Sequence, residues 1–519
     1  MTKHSSLDIQ TLPYWTDSAS FPTFAKIDRD VDVDVVVVGG GITGLTTAYL
    51  LVSAGKSVAL LERGRCAEID TGHTTAHLTM VTDSRLNELV SKFGVSHAQA
   101  VWDAGRAAIH QIERIVDDHD IDCSFDIVSG YLHLPAGESD EQQVESLKED
   151  ARLARELGFE AEFIDDVPFA GAPGVRIVDQ ARFHPRKYLA GLAGALRAKG
   201  GEIFEYSGAD QFLADPLRVE AGGRRLRCKD IVIATHNPIA GVVSASREDL
   251  FQTKLALYTS YVVAGRVSSG AVPDALFWDT ANPYHYLRIE PQRDHQLVIF
   301  GGEDHKTGQV PDTSQCYARL ERSLVAALPG IALSHRWSGQ VIETPDGLPY
   351  IGKMADHQYA ATGFGGNGMT YGTLAGIMIA DAIQGRQNPW VDLFDPDRAA
   401  LRRGLWDYIK ENADYPYYKA RGTFEGKGRT LRSIKRGEGA VVDGDGTKIA
   451  AYRRDDGSLM LHSAVCTHKG CTVAWNNAER TWDCPCHGSR FTAAGDVISG
   501  PAQSPLEEVS KTTPAATSR

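Results

Sequence analysis

The chain has 519 residues, of which 42% are hydrophobic and 23% charged, as in an ordinary globular protein. At roughly 150 residues per domain, this length allows two to four domains. The net charge of −13 argues against a nucleic-acid-binding protein. No segment approaches the roughly 20 apolar residues of a membrane span, and the N-terminus lacks the apolar core of a signal peptide. We therefore expect a cytoplasmic protein.

A strand, a glycine turn, a helix and a second strand follow one another after a polar lead-in: Val33–Val38, Gly39–Gly44, Leu45–Ala54 and Ser57–Leu61. The glycines allow a pyrophosphate to approach the backbone, and the helix N-terminus favours that anion. Glu62 lies 21 residues after Gly41 (62 − 41), where an acid accepts hydrogen bonds from a ribose. The pattern predicts a dinucleotide site. The alternative is a glycine-rich turn without a ligand.

The alternation of helical and strand-like segments continues to about residue 395. The helical segments are Asp140–Leu157 and Pro185–Lys199, and strand-like runs include Arg227–Ala234, Leu255–Ala264 and His295–Gly301. Alternation of this kind predicts a doubly wound α/β sheet with an antiparallel partner sheet.

A second glycine-rich segment lies within residues 335–383, where Asp346–Pro349 precedes Gly363–Gly368 and a predicted helix over Met369–Ile383. The N-terminus of that helix can stabilise negative charge on a bound group. This segment, with the strand Ile231–Thr235, resembles the FAD-dependent amine and amino-acid oxidoreductases of the D-amino-acid oxidase type. The resemblance covers roughly residues 30–390. It implies an FAD-binding Rossmann-like domain with an antiparallel-sheet substrate domain over residues 30–395.

The cofactor-binding residues follow from the two glycine segments and from this resemblance. They are Gly39, Gly41, Ile42, Thr43, Gly44, Glu62, Arg63, Thr74, Thr75, Gly363, Gly365, Gly366, Asn367, Gly368 and Met369. Relatives with covalent flavin use a cysteine before the second segment, which Ile342–Thr344 does not offer, or a histidine whose register is not clearly matched by His73 or His77. We therefore expect non-covalent FAD, with both histidines packing or hydrogen-bonding locally.

The strand Tyr284–Arg288 lies where these relatives build the cavity wall over the flavin. The resemblance implies that Arg288 could pair bidentately with a substrate carboxylate. Tyr286 or His285 could orient or deprotonate a substrate amine. The alternative is a structural arginine among core aromatic residues.

After a predicted linker helix over residues 396–425, the pattern changes to short strands and turns, which predicts a small all-β domain over residues 426–510. Four of the eight cysteines crowd into this domain. In a reducing compartment such a cluster usually binds metal or is catalytic. The four are Cys466, Cys471, Cys484 and Cys486.

The metal-ligand pattern is Cys466-x-His468 followed by Cys484-x-x-His487. Two thiolates on one iron and two imidazoles on the other are the ligands of a Rieske [2Fe–2S] cluster. A zinc site usually groups cysteine with cysteine and histidine with histidine. We predict one Rieske cluster.

The surrounding sequence segments CTHKGC and CPCHGS resemble those of the Rieske proteins of respiratory and photosynthetic cytochrome complexes. That resemblance implies a disulfide between Cys471 and Cys486, with two free thiols as the alternative. It also implies that Ser489 hydrogen-bonds a bridging sulfide. Phe491 stands where the family has a tyrosine, so we predict a reduction potential between those of a ferredoxin and a respiratory Rieske protein.

Nearly the whole chain resembles FAD-dependent oxidoreductases fused to a C-terminal Rieske domain. We expect a dehydrogenase that oxidises a small amine or amino-acid-like substrate and passes single electrons to an external carrier. Two alternatives stay open: electron flow in the reverse direction, and a redox sensor or electron-transfer adaptor without turnover. A Rieske oxygenase would need an iron bound by two histidines and a carboxylate, for which the sequence offers no paired-histidine helix.

Overall fold

The structure is a computed structural model that describes residues 9–138, 140–237, 254–398, 429–444 and 447–509. The chain divides into two compact units. The first contains Met1–Leu255, Thr259–Asp304 and Tyr317–Asp407, and the second contains Ala256–Tyr258, His305–Cys316 and Tyr408–Arg519. The predicted linker helix falls outside the described residues, apart from its first positions. Among the described residues, no helix has both the length and the apolar character that a membrane crossing requires.

The helices alternate with strands along most of the first unit. In chain order they are α1 (Tyr14–Ser18), α2 (Ile42–Ser53), α3 (Ile69–Gly72), α4 (Leu86–Phe93), α5 (Val95–Asp118), α6 (Glu141–Glu156), α7 (Pro185–Ala198), α8 (Ser314–Ala327), α9 (Gly368–Ile383) and α10 (Val391–Phe394). The first turn of α8 belongs to the second unit.

A six-stranded sheet of the first unit carries the first glycine turn. Its order is β18 (Tyr350–Ala355), β19 (Gln358–Thr362), β12 (Asp230–Ile233), β2 (Val35–Val38), β3 (Val58–Leu61) and β8 (Glu202–Phe204). β2 runs parallel to both β3 and β12. Every residue of β2 and β3 is buried, as expected for parallel strands that are covered on both faces.

The described residues before position 398 form two further sheets. The larger has the order β17 (Ala332–Glu343), β13 (Ala256–Ser268), β16 (His295–Lys306), β15 (Tyr286–Pro291), β14 (Ala275–Asp279), β5 (Asp126–His133), β7 (Gly174–Arg182) and β4 (His77–Leu78), and β6 (Ala161–Ile164) pairs with β7. The smaller has the order β1 (Val31–Asp32), β11 (Arg224–Arg227), β10 (Leu217–Ala221) and β9 (Gln211–Ala214). β15 and β16 pair antiparallel, and they later supply one wall of a cavity.

The second unit contains two small antiparallel sheets. One is β20 (Gly439–Gly444), β21 (Thr447–Arg453) and β22 (Leu459–Ser463), and the other is β23 (Ala474–Asn476), β24 (Thr481–Asp483), β25 (Arg490–Thr492) and β26 (Val497–Ser499). The 3-10 turn Leu431–Ser433 precedes them.

A buried aromatic centre supports the second of these sheets. Trp482 and Phe491 are completely buried, and the Trp475 ring lies 4.7 Å from that of Trp482. Residues 305–316 also belong to this unit, although they precede the all-β domain by more than 100 positions. There the Gln309 side chain donates a hydrogen bond to the Pro485 carbonyl at 3.2 Å.

Candidate functional site

The first glycine turn leads directly from β2 into α2. Gly39 has a φ of +113°, and a side-chain carbon there would lie 2.5 Å from the Ala234 carbonyl oxygen. A side-chain carbon at Gly44 would lie 1.9 Å from the Gly39 carbonyl oxygen. Only glycine fits either position, and the resulting close turn places the first residues of α2, Ile42 and Thr43, in the wall of a cavity.

Glu62 follows β3 and ties down the same turn. Its carboxylate accepts hydrogen bonds from the backbone N–H groups of Gly40 and Gly64, each at 2.7 Å. Burial raises the pKa of this carboxyl, and the two hydrogen bonds act against the rise. The contact of Glu62 with a ribose stays a prediction.

The second glycine segment begins α9. Gly363 and Gly365 have φ values of +74° and +55°, and a side-chain carbon at Gly363 would lie 2.3 Å from Thr344 Cγ2. The Gly366 N–H donates to Asp83 Oδ2 at 2.8 Å, and the Asn367 side chain donates to the Val81 carbonyl at 3.0 Å. These bonds fix the entry into the helix.

The two glycine segments open onto one cavity of about 570 Å³ in the first unit, a volume typical of a ligand site. The predicted cofactor residues that line it are Gly41, Ile42, Thr43, Thr74, Thr75, Gly365, Gly366, Asn367, Gly368 and Met369. The predicted residues Gly39, Gly44, Glu62, Arg63 and Gly363 do not line it. The N-termini of α2 and α9 therefore both border this cavity. Glycines stand where a large cofactor would approach the backbone.

The three predicted substrate residues are separated by the structure. Tyr286 lines the cavity, and its hydroxyl lies 2.6 Å from Ser260 Oγ. His285 turns away, pairs with Asp279 at 3.1 Å and stacks on the Phe300 ring at a centroid distance of 5.5 Å.

Arg288 also turns away from the cavity. It is fully buried, it donates to the backbone carbonyls of Ala76 and Phe183 at 2.9 and 3.0 Å, and it pairs with Glu290. These contacts describe a framework arginine, so the structure offers no support for the predicted carboxylate contact.

Two further polar side chains, Asp304 and His77, also line the cavity wall. Asp304 lies on β16, and its Oδ1 atom is buried without a hydrogen-bond partner among the described residues. His77 lies on β4, and its Nε2 atom is likewise buried without a hydrogen-bond partner among the described residues. Burial raises the pKa of Asp304 to about 7 and lowers that of His77 to about 3. Buried polar atoms of this kind are normally satisfied, so both atoms suit contact with a bound ligand.

The four predicted cluster ligands lie in two short loops of the second unit. In the first loop, the Cys466 N–H donates to the Cys471 carbonyl at 2.8 Å, and the Gly470 N–H donates back to the Cys466 carbonyl at 3.0 Å. The second loop is closed in the same way by Cys484 and its partners Gly488 and Ser489, at 2.9 and 2.7 Å. Each loop contributes one thiol and one imidazole.

The ligands differ in exposure in the way a Rieske centre requires. Cys466 and Cys484 are 2% and 1% exposed. His468 and His487 are only partly buried, with ring centroids 4.8 Å apart and planes at 83°. The inner iron would therefore be bound by buried thiolates and the outer iron by imidazoles near the surface.

A disulfide joins the two cluster loops. Cys471 and Cys486 are bonded, as the resemblance to Rieske proteins implies. The Sγ atoms of this pair and of Cys484 lie within 4.8 Å of one another. Cys66, Cys123 and Cys228 form no disulfide and are free thiols.

Ser489 sits behind the cluster loops. It is completely buried, its side chain hydrogen-bonds the Cys466 thiol, and its Oγ accepts the Ala502 N–H at 3.1 Å. A side-chain carbon at Gly500 would lie 2.5 Å from Ser489 Cα, so the turn at Gly500 packs directly against the serine.

Both sites fit the groups that the sequence predicts. The first pairs two glycine turns with two helix N-termini, which suits the pyrophosphate and flavin of FAD. The second supplies two thiols and two imidazoles, which is the Rieske donor set.

Comparisons with known proteins agree with this assignment. Residues 34–382 match the family described as FAD dependent oxidoreductase, and residues 429–510 match the Rieske [2Fe-2S] domain. Over 504 residues the chain is 34% identical to YhfW of Bacillus subtilis (strain 168), which is named as a Rieske 2Fe-2S iron-sulfur protein; the match covers 96% of this chain and 97% of YhfW.

Two further relatives match the flavin part. Gamma-glutamylputrescine oxidoreductase of Escherichia coli (strain K12) is 24% identical over 406 residues, covering 74% of this chain and 90% of the relative. The crystal structure of glycine oxidase from Geobacillus kaustophilus superposes with a TM-score of 0.58 at 17% identity, covering 71% of this chain and 99% of that one. The glycine oxidase likeness shows a shared fold. Since the two family matches include both candidate sites, the chain belongs to the FAD dependent oxidoreductases and carries a Rieske [2Fe-2S] domain at its C-terminal end.

Proposed function

We propose that the protein is a dehydrogenase that oxidises a small amine or amino-acid-like compound and passes the electrons singly through its Rieske cluster to an external carrier. The observation that carries this proposal is the presence of both redox sites in one chain. When bound, FAD accepts two electrons as a hydride, whereas a Rieske cluster carries one electron at a time. Such a pair suits a two-electron donor and a one-electron acceptor.

The substrate class is supported by the relatives and by the cavity. The gamma-glutamylputrescine oxidoreductase and the glycine oxidase are both named for compounds with an oxidisable carbon–nitrogen bond. In this chain the cavity has aromatic and hydroxyl groups in its wall. The Tyr286 hydroxyl lies 2.6 Å from Ser260 Oγ, within hydrogen-bond distance. These groups would orient an amine, and the N-termini of α2 and α9 would hold the anionic parts of the cofactor.

The external carrier is supported by the exposure of the outer ligands. His468 and His487 are partly exposed, so a carrier could approach the outer iron closely. In the same proposal the protein works in the cytoplasm, since Cys66, Cys123 and Cys228 are free thiols, as is usual in a reducing compartment.

An anaerobic titration tests the proposal. Purified protein with both cofactors is titrated with a panel of secondary amines and amino acids while flavin absorbance and the Rieske EPR signal are recorded together. We expect at least one compound to bleach the flavin and then to raise the EPR signal.

The opposite result is equally clear. If no compound bleaches the flavin while a chemical reductant fills both centres, the dehydrogenase proposal fails. Reduction of the flavin by a ferredoxin-type donor alone would instead indicate electron flow in the reverse direction.

A further inference from the structure

The carboxylates that line the cavity of the first unit outnumber its arginine and lysine side chains among the described residues. Its carboxylates are Asp70, Asp83, Glu88, Asp150, Asp279 and Asp304. Among the described residues that line it, Arg85 is the only arginine or lysine. Arg85 is already paired with Asp150 at 2.6 Å, so its charge is neutralised within the protein.

Most of these carboxylates are also satisfied by protein groups. Asp70 pairs with His236 at 2.9 Å, and Asp279 pairs with His285 at 3.1 Å. Asp83 accepts hydrogen bonds from the Gly366 N–H and the Tyr284 hydroxyl, at 2.8 and 3.2 Å.

Asp304 differs from the others. Its Oδ1 atom is buried and has no hydrogen-bond partner among the described residues, although the residue lines the cavity. Its neighbours are the hydroxyl groups of Ser260, Tyr284 and Tyr286, the carboxyl groups of Asp83 and Glu303, and His285, which is itself paired with Asp279. A ligand that donates hydrogen bonds and carries positive charge would satisfy this atom and offset the surrounding negative charge.

A substrate carboxylate would meet the opposite conditions. The arginine predicted to bind one, Arg288, is buried in the framework with its donors directed at backbone carbonyls and Glu290. A carboxylate in the cavity would lose water and lie near Asp83 and Asp304, while the one arginine among the described lining residues, Arg85, is already paired with Asp150, so its binding would be costly.

We infer that the cavity selects cationic amines that carry no carboxylate, and that Asp304 binds the substrate ammonium group. This inference rests on the proposed function and narrows its substrate class. It makes Asp304 a specificity-determining residue on β16, in contact with the substrate.

Matched compounds test the inference on the protein with FAD and cluster bound. Dimethylamine and N-methylglycine differ by one carboxylate, as do putrescine and ornithine. Binding is measured anaerobically from the perturbation of the oxidised flavin spectrum, which does not require turnover. We expect the compound without the carboxylate to bind at least tenfold more tightly in each pair.

Two variants locate the effect. Asp304→Asn keeps the size of the side chain and removes its charge, and it should weaken amine binding at least tenfold while leaving binding of the amino acids unchanged or improved. Glu145→Gln removes the same charge from an exposed side chain that does not line the cavity and should change amine binding less than threefold.

Failure of the inference is distinguishable from failure of the proposed function. Tighter binding of the amino acids, no binding of any of the four compounds, or unchanged amine affinity in Asp304→Asn would overturn the inference. Amines that perturb the flavin spectrum but never bleach it would overturn the dehydrogenase proposal and leave the binding preference standing. The comparison of paired compounds needs no variant, so it decides the matter even if Asp304→Asn fails to fold.

Discussion

The ionisation of Asp304 is set by its surroundings. Its pKa is raised to about 7: burial is the largest cause, the charges of Asp83 and Glu303 act in the same direction, and Ser260 and His285 act against them. Amine binding by this carboxylate should therefore depend on pH in the neutral range.

The sign follows from the charge that the ligand needs. An ammonium group binds the ionised carboxylate, and the ionised fraction rises about tenfold between pH 6 and pH 8 for a pKa of about 7. We expect the dissociation constant of dimethylamine to fall by about that factor over this interval, measured from the flavin spectrum. His77 stays neutral throughout, since burial lowers its pKa to about 3.

The control for this prediction is Asp304→Asn, in which the pH dependence should be nearly flat. Retention of the full pH dependence in that variant would assign the titration to another group. His285 is the neighbour to consider, because its hydrogen bond with Asp279 raises its pKa.

Ser489 allows a second prediction at this scale. Its side chain bonds Cys466, and such a bond stabilises the more negative reduced cluster. At about 1.5–3 kcal/mol for a bond to a charged group, Ser489→Ala should lower the cluster potential by about 60–130 mV, given 59 mV per tenfold change. Redox titration of the EPR signal measures it. An unchanged potential with an intact signal would contradict this role.

A substitution at Phe491, two residues after Ser489, should change the cluster potential in the opposite direction. Phe491 is completely buried in the same apolar cluster as Cys466 and Cys484. Phe491→Tyr should raise the potential if the new hydroxyl reaches a cysteine sulfur, as the resemblance to Rieske proteins implies.

Among the secondary-structure elements, α2 and α9 cross closely enough to exclude any side chain at their contact. A side-chain carbon at Gly372 would lie 2.8 Å from Ile42 Cγ2 and Thr43 Oγ1, both in the first turn of α2. Gly372→Ala should therefore displace the helix N-terminus that faces the cofactor, at a cost of about 1–3 kcal/mol in stability. We expect a lower melting temperature and weaker FAD retention, measured by flavin release.

Gly194 provides the matched control for this prediction. It lies inside α7, and a side-chain carbon there would meet no atom within 4 Å. Gly194→Ala should be neutral or stabilise the protein by roughly 0.5–1 kcal/mol, the helix preference of alanine over glycine. Equal loss of FAD in both variants would mean that the α2–α9 contact does not position the cofactor.

Elements with a strong local pattern could be predicted from the sequence. The helix expected over Asp140–Leu157 is Glu141–Glu156, and the one expected over Pro185–Lys199 is Pro185–Ala198. Apolar periodicity and caps such as Asp140 specify these helices without help from the rest of the fold. Both glycine turns could be predicted for the same reason, because the local backbone conformation at those positions requires glycine.

Features that depend on distant partners could not be predicted in this way. Asp304 is an acidic residue near the end of a long strand, and nothing in its local sequence indicates that β15 and β13 bring Tyr286 and Ser260 beside it. The orientation of Arg288 likewise depends on carbonyls more than 100 positions away. His285 precedes the first residue of β15, and its pairing with Asp279, rather than any signal in its local sequence, directs it away from Tyr286.

At the level of the whole molecule, the cofactor sites lie in units with separate cores. The cavity of the first unit is lined by residues of that unit, and the cluster ligands belong to the second. Residues 305–316 show that the units do not follow sequence order alone, since this stretch lies inside the flavin family match and yet belongs to the second unit.

Loss of one cluster ligand should therefore leave the flavin site intact. Cys484 is 1% exposed and supplies one of the two thiolates, so Cys484→Ala should abolish the Rieske EPR signal while FAD stays bound in full amount. Amines should still bleach the flavin of this variant, but electrons should no longer reach a one-electron acceptor at an appreciable rate. Cys123→Ala, at an equally buried free thiol of the first unit, should keep both cofactors and the complete reaction. Loss of FAD from Cys484→Ala alone would show that the flavin site depends on the cluster loops, and undiminished transfer to the acceptor would show that the cluster is not on the electron path.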